Sequence, residues 1–146
     1  MNKNSNSFEI IFDSKSENES FARVVVAAFC TRLDPTLEEI SDIKTAVSEA
    51  VTNCIVHGYE GREGKISLKC ELNDNELTIE VHDDGVGIDD IERAMEPMYT
   101  SKPQLERSGM GFSFMEAFMD RIEVRSKKGE GTRVVMWKYI EREREQ

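Results

Sequence analysis

Glu49, Asn53 and His57 recur every fourth residue, a spacing that stacks side chains along one side of a helix. A carboxylate one turn from an amide oxygen is a workable pair for holding Mg²⁺ and serving as a base, and Asn is a poor residue for a helix interior. Measured around the helix, Glu49 and Asn53 point away from Val47 and Cys54, so a solvated helix face is the alternative reading. A second group is Asp83-Asp84-Gly85-Val86-Gly87-Ile88. Glycines at 85 and 87 let the backbone come close to a ligand, and Asp83 can accept a hydrogen bond from an exocyclic amine. An ordinary turn has a similar composition, no Walker-type lysine follows, and the glycine spacing is not a dinucleotide fingerprint. The third group, Arg107-Ser108-Gly109-Met110-Gly111-Phe112, opens a helix. Its two glycines can set backbone N–H groups and the positive helix end against phosphates, with Lys102 and Arg107 nearby as cations; a flexible loop before a helix is the plainer reading.

These groups need elements to carry them. Phe8, Ile10 and Phe12 alternate along a half-buried strand at a sheet edge or beginning. Ser16 and Glu19 match a capping box ahead of a first helix over residues 17–32, with Phe21, Val24, Val25, Ala28 and Phe29 at helical spacing. Asp34 offers an N-cap and Pro35 a first helical position for a second helix, striped by Leu37, Ile40, Ile43, Val47, Ala50, Val51 and Cys54 and stopped by Gly58. Ile66, Leu68 and Cys70, then Leu77, Ile79 and Val81, alternate on either side of Asn73-Asp74-Asn75, which marks a hairpin. A short helix, a polar segment over 97–108 and a helix over 111–119 follow, then a hairpin turning at Gly129-Glu130-Gly131. About five strands and three or four helices make an α+β layer arrangement with an antiparallel or mixed sheet.

Composition narrows the function. The 146 residues suit one domain, with a charged tail at 141–146 that is expected to fray. Hydrophobic residues make up 38% and charged residues 33%, the balance of a globular chain. A net charge of −10 disfavours nucleic acid as a partner and suits a basic protein surface, although acidity also simply aids solubility. Cys30, Cys54 and Cys70 are odd in number and not in metal-ligand spacing, so they read as thiols of a reducing compartment; no membrane anchor or signal peptide is evident, and a cytoplasmic location is expected.

The ordered set is informative: acid and amide on a helix, D-x-G-x-G after a strand, G-x-G at a helix start, and Gly131-Thr132 entering a strand. In that order the chain resembles the GHKL superfamily of ATP-binding domains. Ser48-Glu49-Ala50-Val51-Thr52-Asn53 looks like its N box, and the glycine groups at 83–87 and 107–111 look like its two glycine boxes. The resemblance is closest to the sporulation anti-sigma F factors, which are also serine protein kinases. It is carried by residues 16–23, by residues 48–53 with His57-Gly58-Tyr59, and by Tyr99-Thr100-Ser101-Lys102-Pro103 through Glu106-Arg107-Ser108-Gly109-Met110-Gly111. His82, Ser101 and Cys54 depart from that family's usual residues without removing a group that its chemistry needs.

The resemblance implies a two-layer α/β sandwich with a mixed, mostly antiparallel sheet covered on one face by helices. It implies ATP or ADP as cofactor with Mg²⁺ held by Asn53, the base held by Asp83 and Thr132, and Gly85 and Gly87 at the nucleotide. Thr100, Lys102, Arg107, Ser108, Gly109 and Gly111 are implied at the phosphates, and Glu49 as catalytic base. Implied partners are sigma factor F, an anti-anti-sigma factor with a substrate serine, and a second copy in a homodimer, with Glu19 and Arg23 at a partner surface and the segment 96–108 as a switching lid. A helix ion pair is the simpler reading of Glu19 and Arg23. Three alternatives stay open: a stress-response kinase of the same family, a nucleotide-gated sigma-sequestering module without phosphotransfer, and a detached histidine-kinase ATPase domain. The last lacks an obvious phospho-acceptor histidine, because His57 and His82 both lie inside the ATP-site motifs.

Overall fold

The computed structural model describes residues 5–95 and 111–140. The expected lid at 96–108 and the expected frayed tail at 141–146 lie outside the described residues. Strand β1 (Asn6–Asp13) leads to helix α1 (Glu17–Phe29), a 3₁₀ turn (Cys30–Leu33) and helix α2 (Leu37–Asn53), which runs on as a π turn (Cys54–Gly58). Strands β2 (Lys65–Asn73) and β3 (Glu76–Asp83) follow, then the short helix α3 (Ile91–Ala94), helix α4 (Gly111–Phe118) and strands β4 (Arg121–Ser126) and β5 (Thr132–Tyr139).

The five strands form one sheet in the order β1-β2-β3-β5-β4, with β1 at an edge as its pattern suggests. All four pairings are antiparallel, which corrects the mixed element of the expected sheet. The β2–β3 and β4–β5 pairs are hairpins and must be antiparallel, and after the two helices that follow β1, β2 returns alongside it in the opposite direction. In β2 and β3 every second residue is buried, giving a single inner face of Ile66, Leu68, Cys70, Leu72, Leu77, Ile79 and Val81. Helix α2 packs between α1 and α4, and Ala22, Val26, Ile43, Val47, Val51 and Met115 close the core over that face. The result is the two-layer α+β sandwich that the element order implies.

Both helix starts differ from the sequence reading. Ser16 has helical dihedrals (φ −59°, ψ −30°) and makes no side-chain cap, because the chain has already begun to turn at Lys15, whose carbonyl accepts the Asn18 N–H at 2.9 Å. Asp34 takes a left-handed conformation that ends the 3₁₀ turn, so the N-cap of α2 falls to Thr36 (φ −71°, ψ 167°). The Thr36 hydroxyl accepts the Glu39 N–H at 3.1 Å, and the Glu39 carboxylate accepts the Thr36 N–H at 2.8 Å, a complete capping box. The first helix also tightens at Cys30 rather than running regularly to Arg32.

This contrast is measurable: Thr36→Ala should cost about 1 kcal/mol in urea-induced unfolding, whereas Ser16→Ala should stay within about 0.5 kcal/mol of the parent.

Candidate functional site

The inner-face alternation of β3 does not end with the apolar residues. Leu77, Ile79 and Val81 are followed in phase by Asp83, which is 2% exposed. Its register partner on β5 is Thr132, whose own partner on β4 is Ser126. On the other side Asp83 pairs with Ile66, and Ile66 with Phe12. One transverse row of the sheet thus changes from Phe12 and Ile66 to Asp83, Thr132 and Ser126.

The carboxylate is covered by the turn that follows α2. After Asn53 the helix widens into a π turn closed by the Tyr59 N–H on the Cys54 carbonyl at 2.9 Å, and this brings Gly58 directly over Asp83. A Cβ at position 58 would stand 2.8 Å from the Asp83 carboxylate, and one at Gly85 would strike the Gly58 carbonyl. Two stretches of backbone touch here, and the Val86 N–H donates to the Gly58 carbonyl at 2.9 Å. The Gly85 N–H donates to Asp83 Oδ1 at 2.8 Å. The Tyr59 hydroxyl accepts the Asp84 N–H at 2.8 Å and donates to the Lys65 carbonyl at 2.6 Å, fixing the glycine loop to the start of β2. Burial raises the Asp83 pKa above the ordinary 3.8, against the opposing pull of the Gly85 N–H, the Cys54 thiol and His82. Burial, reinforced by the neighbouring Asp83, pushes the Cys54 thiol well above its ordinary range, so it is an inert hydrogen-bonding neighbour.

The loop's far side is tied to the β4–β5 turn. Gly87 has φ +79°, a conformation that disfavours side chains, and the Val86 carbonyl accepts the Gly129 N–H. The Ile88 N–H donates to Ser126 Oγ at 2.7 Å, and Ser126 Oγ also meets the Gly131 carbonyl at 2.8 Å and Thr132 Oγ1 at 2.7 Å. At the open end of α2, Asn53 is half-buried rather than solvated: a Cβ on Gly111, the first residue of α4, would lie 2.9 Å from its Nδ2 and 3.1 Å from its Oδ1. Glu49 is half-buried one turn earlier on the same helix.

Of the residues singled out in the sequence, Asp83, Gly85, Gly87 and Thr132 therefore meet around one loop, and Asn53 meets Gly111. Glu19 and Arg23 lie on α1, outside this cluster, as an ion pair at 2.9 Å. Thr100, Lys102, Arg107, Ser108 and Gly109 lie outside the described residues. Sequence reasoning read Cys54 as part of the helix stripe, Gly58 as the helix stop and Tyr59 only as part of the resemblance, and it gave Ser126 no role; none of the four was placed around Asp83. The one available signal was phase: Asp83 continues the alternation of β3, and Ser126 that of Ile122 and Val124 in β4.

A glycine loop is thus clamped beside a buried carboxylate, and an amide of α2 faces the start of α4. The family model of the histidine kinase-like ATPase domain matches residues 12–138, and the chain belongs to that family. Within the family its similarity is specific. The chain is 63% identical over 134 residues to the anti-sigma F factor of Clostridium beijerinckii, covering 91% of this chain and 94% of that protein. It is 62% identical over 133 residues to the anti-sigma F factor of Clostridium acetobutylicum (91% and 93%), and 61% over 135 residues to that of Thermoanaerobacter pseudethanolicus (92% and 94%). The chain thus sides with the anti-sigma F factors. None of the described helices is long and apolar enough to cross a membrane.

The raised Asp83 pKa carries a signed consequence for stability. The folded chain binds that proton more tightly than the unfolded chain, so the contribution is present below pH 3.8 and is lost as pH rises through the folded value. Asp83→Asn, which keeps an acceptor for Gly85 and removes the buried charge, should unfold at higher urea than the parent at pH 7. That advantage should shrink as the pH is lowered towards 3.8.

Proposed function

We propose that the chain is an anti-sigma factor that holds sigma factor F, and a serine kinase that uses Mg-ATP to phosphorylate the anti-anti-sigma factor. The observation that carries the nucleotide part is the buried Asp83 carboxylate in a polar row of the sheet, clamped against a glycine loop. The sigma-factor part rests on the similarity to anti-sigma F factors. On the same basis it works in the cytoplasm as a homodimer on protein partners, without nucleic acid or membrane, and residues 1–146 form one kinase domain.

The residues present fit the nucleotide. Gly85 and the Cys54 thiol each occupy an acceptor direction of Asp83, and a carboxylate has about four, so acceptors remain for an exocyclic amine. Among the described residues no three His, Cys, Asp or Glu side chains gather to hold a metal by themselves. Mg²⁺ at such a site takes one or two protein oxygens, with phosphate and water completing the shell, and the Asn53 amide oxygen facing the start of α4 suits that demand.

Bound Mg-ATP supplies the γ-phosphoryl group. Asp83 and Thr132 orient the base, while Gly85 and Gly87 let backbone approach the nucleotide. Gly111 at the start of α4, with Thr100, Lys102, Arg107, Ser108 and Gly109, neutralises charge on the phosphates, the larger share of catalysis in phosphoryl transfer. Asn53 holds the Mg²⁺, and Glu49 orients the substrate serine and takes its proton. The Glu19–Arg23 pair is a partner contact; both residues are half-buried on α1, and a helix pair of this spacing adds only about 0.3–0.5 kcal/mol to the fold.

Incubation with γ-labelled Mg-ATP and a purified anti-anti-sigma protein should label a serine. Glu49→Ala should lower that rate about 10²- to 10⁴-fold with ATP affinity retained, and Asn53→Ala should remove the Mg²⁺ dependence of ATP binding. A parent chain that binds ATP and its cognate partner yet transfers no label would instead be a nucleotide-gated sequestering module.

A further inference from the structure

Ser126 lies outside every motif discussed above, yet it joins the glycine loop, the β4–β5 turn and the start of β5. Its Oγ is 2.7 Å from the Ile88 nitrogen, 2.8 Å from the Gly131 carbonyl and 2.7 Å from Thr132 Oγ1. A serine hydroxyl has one proton and two lone pairs. The Ile88 N–H can only donate and the Gly131 carbonyl can only accept, so Ser126 gives its proton to Gly131. The Thr132 contact then requires Thr132 to be the donor, and Ser126 is saturated with one bond given and two received.

Thr132 has one proton as well, and it is committed to Ser126. The lone pairs that remain on its oxygen can only accept. Thr132 and Asp83 are directly opposed across β3 and β5, on the same face, with Cβ atoms at the roughly 4.5–5.5 Å of such a pair. Both therefore present acceptors to whatever lies against this end of the row.

We infer that Ser126 is a positioning residue that sets base specificity: by fixing the Thr132 hydroxyl as an acceptor, it makes the Asp83–Thr132 edge select a 6-amino purine and reject a 6-oxo purine. An amino group offers two N–H donors, taken up directly or through one water. A carbonyl oxygen in the same place offers lone pairs to a wall of lone pairs. This rests on the reading of the site as a nucleotide pocket.

The test compares affinities of the full chain for Mg-ATP and the Mg complex of inosine triphosphate by titration calorimetry. The parent should prefer ATP. Ser126→Ala releases the Thr132 proton to turn towards the base, so the preference should fall by on the order of tenfold, while Ser126→Thr, which restores a hydroxyl, should keep it. If Ser126→Ala weakens both nucleotides equally and the ratio stands, Ser126 only ties down the loop and the inference is overturned. Should that variant fail to fold, Thr132→Val carries the same test, since it removes a bond to the amine and a repulsion with the carbonyl; an unchanged ratio there also overturns it. A parent chain that binds neither nucleotide overturns the pocket reading and this inference together, whereas a parent that binds ATP while the ratio never moves overturns this inference alone.

Discussion

A carboxylate taken out of water is the constraint around which the site is built. Asp83 sits at the end of an apolar strand face, where burial opposes its charge, and the surrounding groups offset that opposition without exposing it. Gly85 gives a backbone N–H, Cys54 a thiol and His82 a nearby positive influence. A fully compensated carboxylate would gain little from a ligand. Asp83 is under-compensated, so a donor that reaches it is bound in a low-dielectric setting where hydrogen bonds are stronger.

The rest of the molecule makes that position possible. The inner face of the sheet is apolar through Phe12 and Ile66 and becomes polar at Asp83, Thr132 and Ser126, so core and site are two ends of one row. The π turn at Cys54–Gly58 is the corresponding device in the helical layer. A regular helix would continue the α2 ladder past Asn53; the wider turn instead lets Gly58 lie against the carboxylate and Tyr59 reach the loop. Both layers give up regularity at the same place, and they do so to admit backbone where side chains would not fit.

Much of this was legible in the residue pattern. The strands follow their alternation closely, Gly58 ends the second helix where expected, and the D-x-G-x-G group lies at the end of a strand. Helix starts were less legible, since Ser16, Asp34 and Thr36 are all suitable caps by type and only backbone conformation decides among them. Asn53 was ambiguous because helical phase describes one helix, whereas its burial comes from Gly111, far along the chain. Tyr59 and Ser126 act through hydrogen bonds to residues 25 and 38 positions away, Asp84 and Ile88, and spacing along a sequence carries no sign of such bonds. The resemblance to a known superfamily supplied roles for residues that the pattern left open.

An under-compensated Asp83 should be relieved by a nucleotide that donates to it. Its carboxyl carbon can be followed by NMR as pH is varied, in the free chain and in the chain saturated with Mg-ATP. The midpoint should lie above 3.8 in the free chain and fall when ATP is present, because a ligand that binds the ionised form lowers the pKa. A free-chain midpoint at or below 3.8, or one that saturating ATP leaves unmoved, would contradict it.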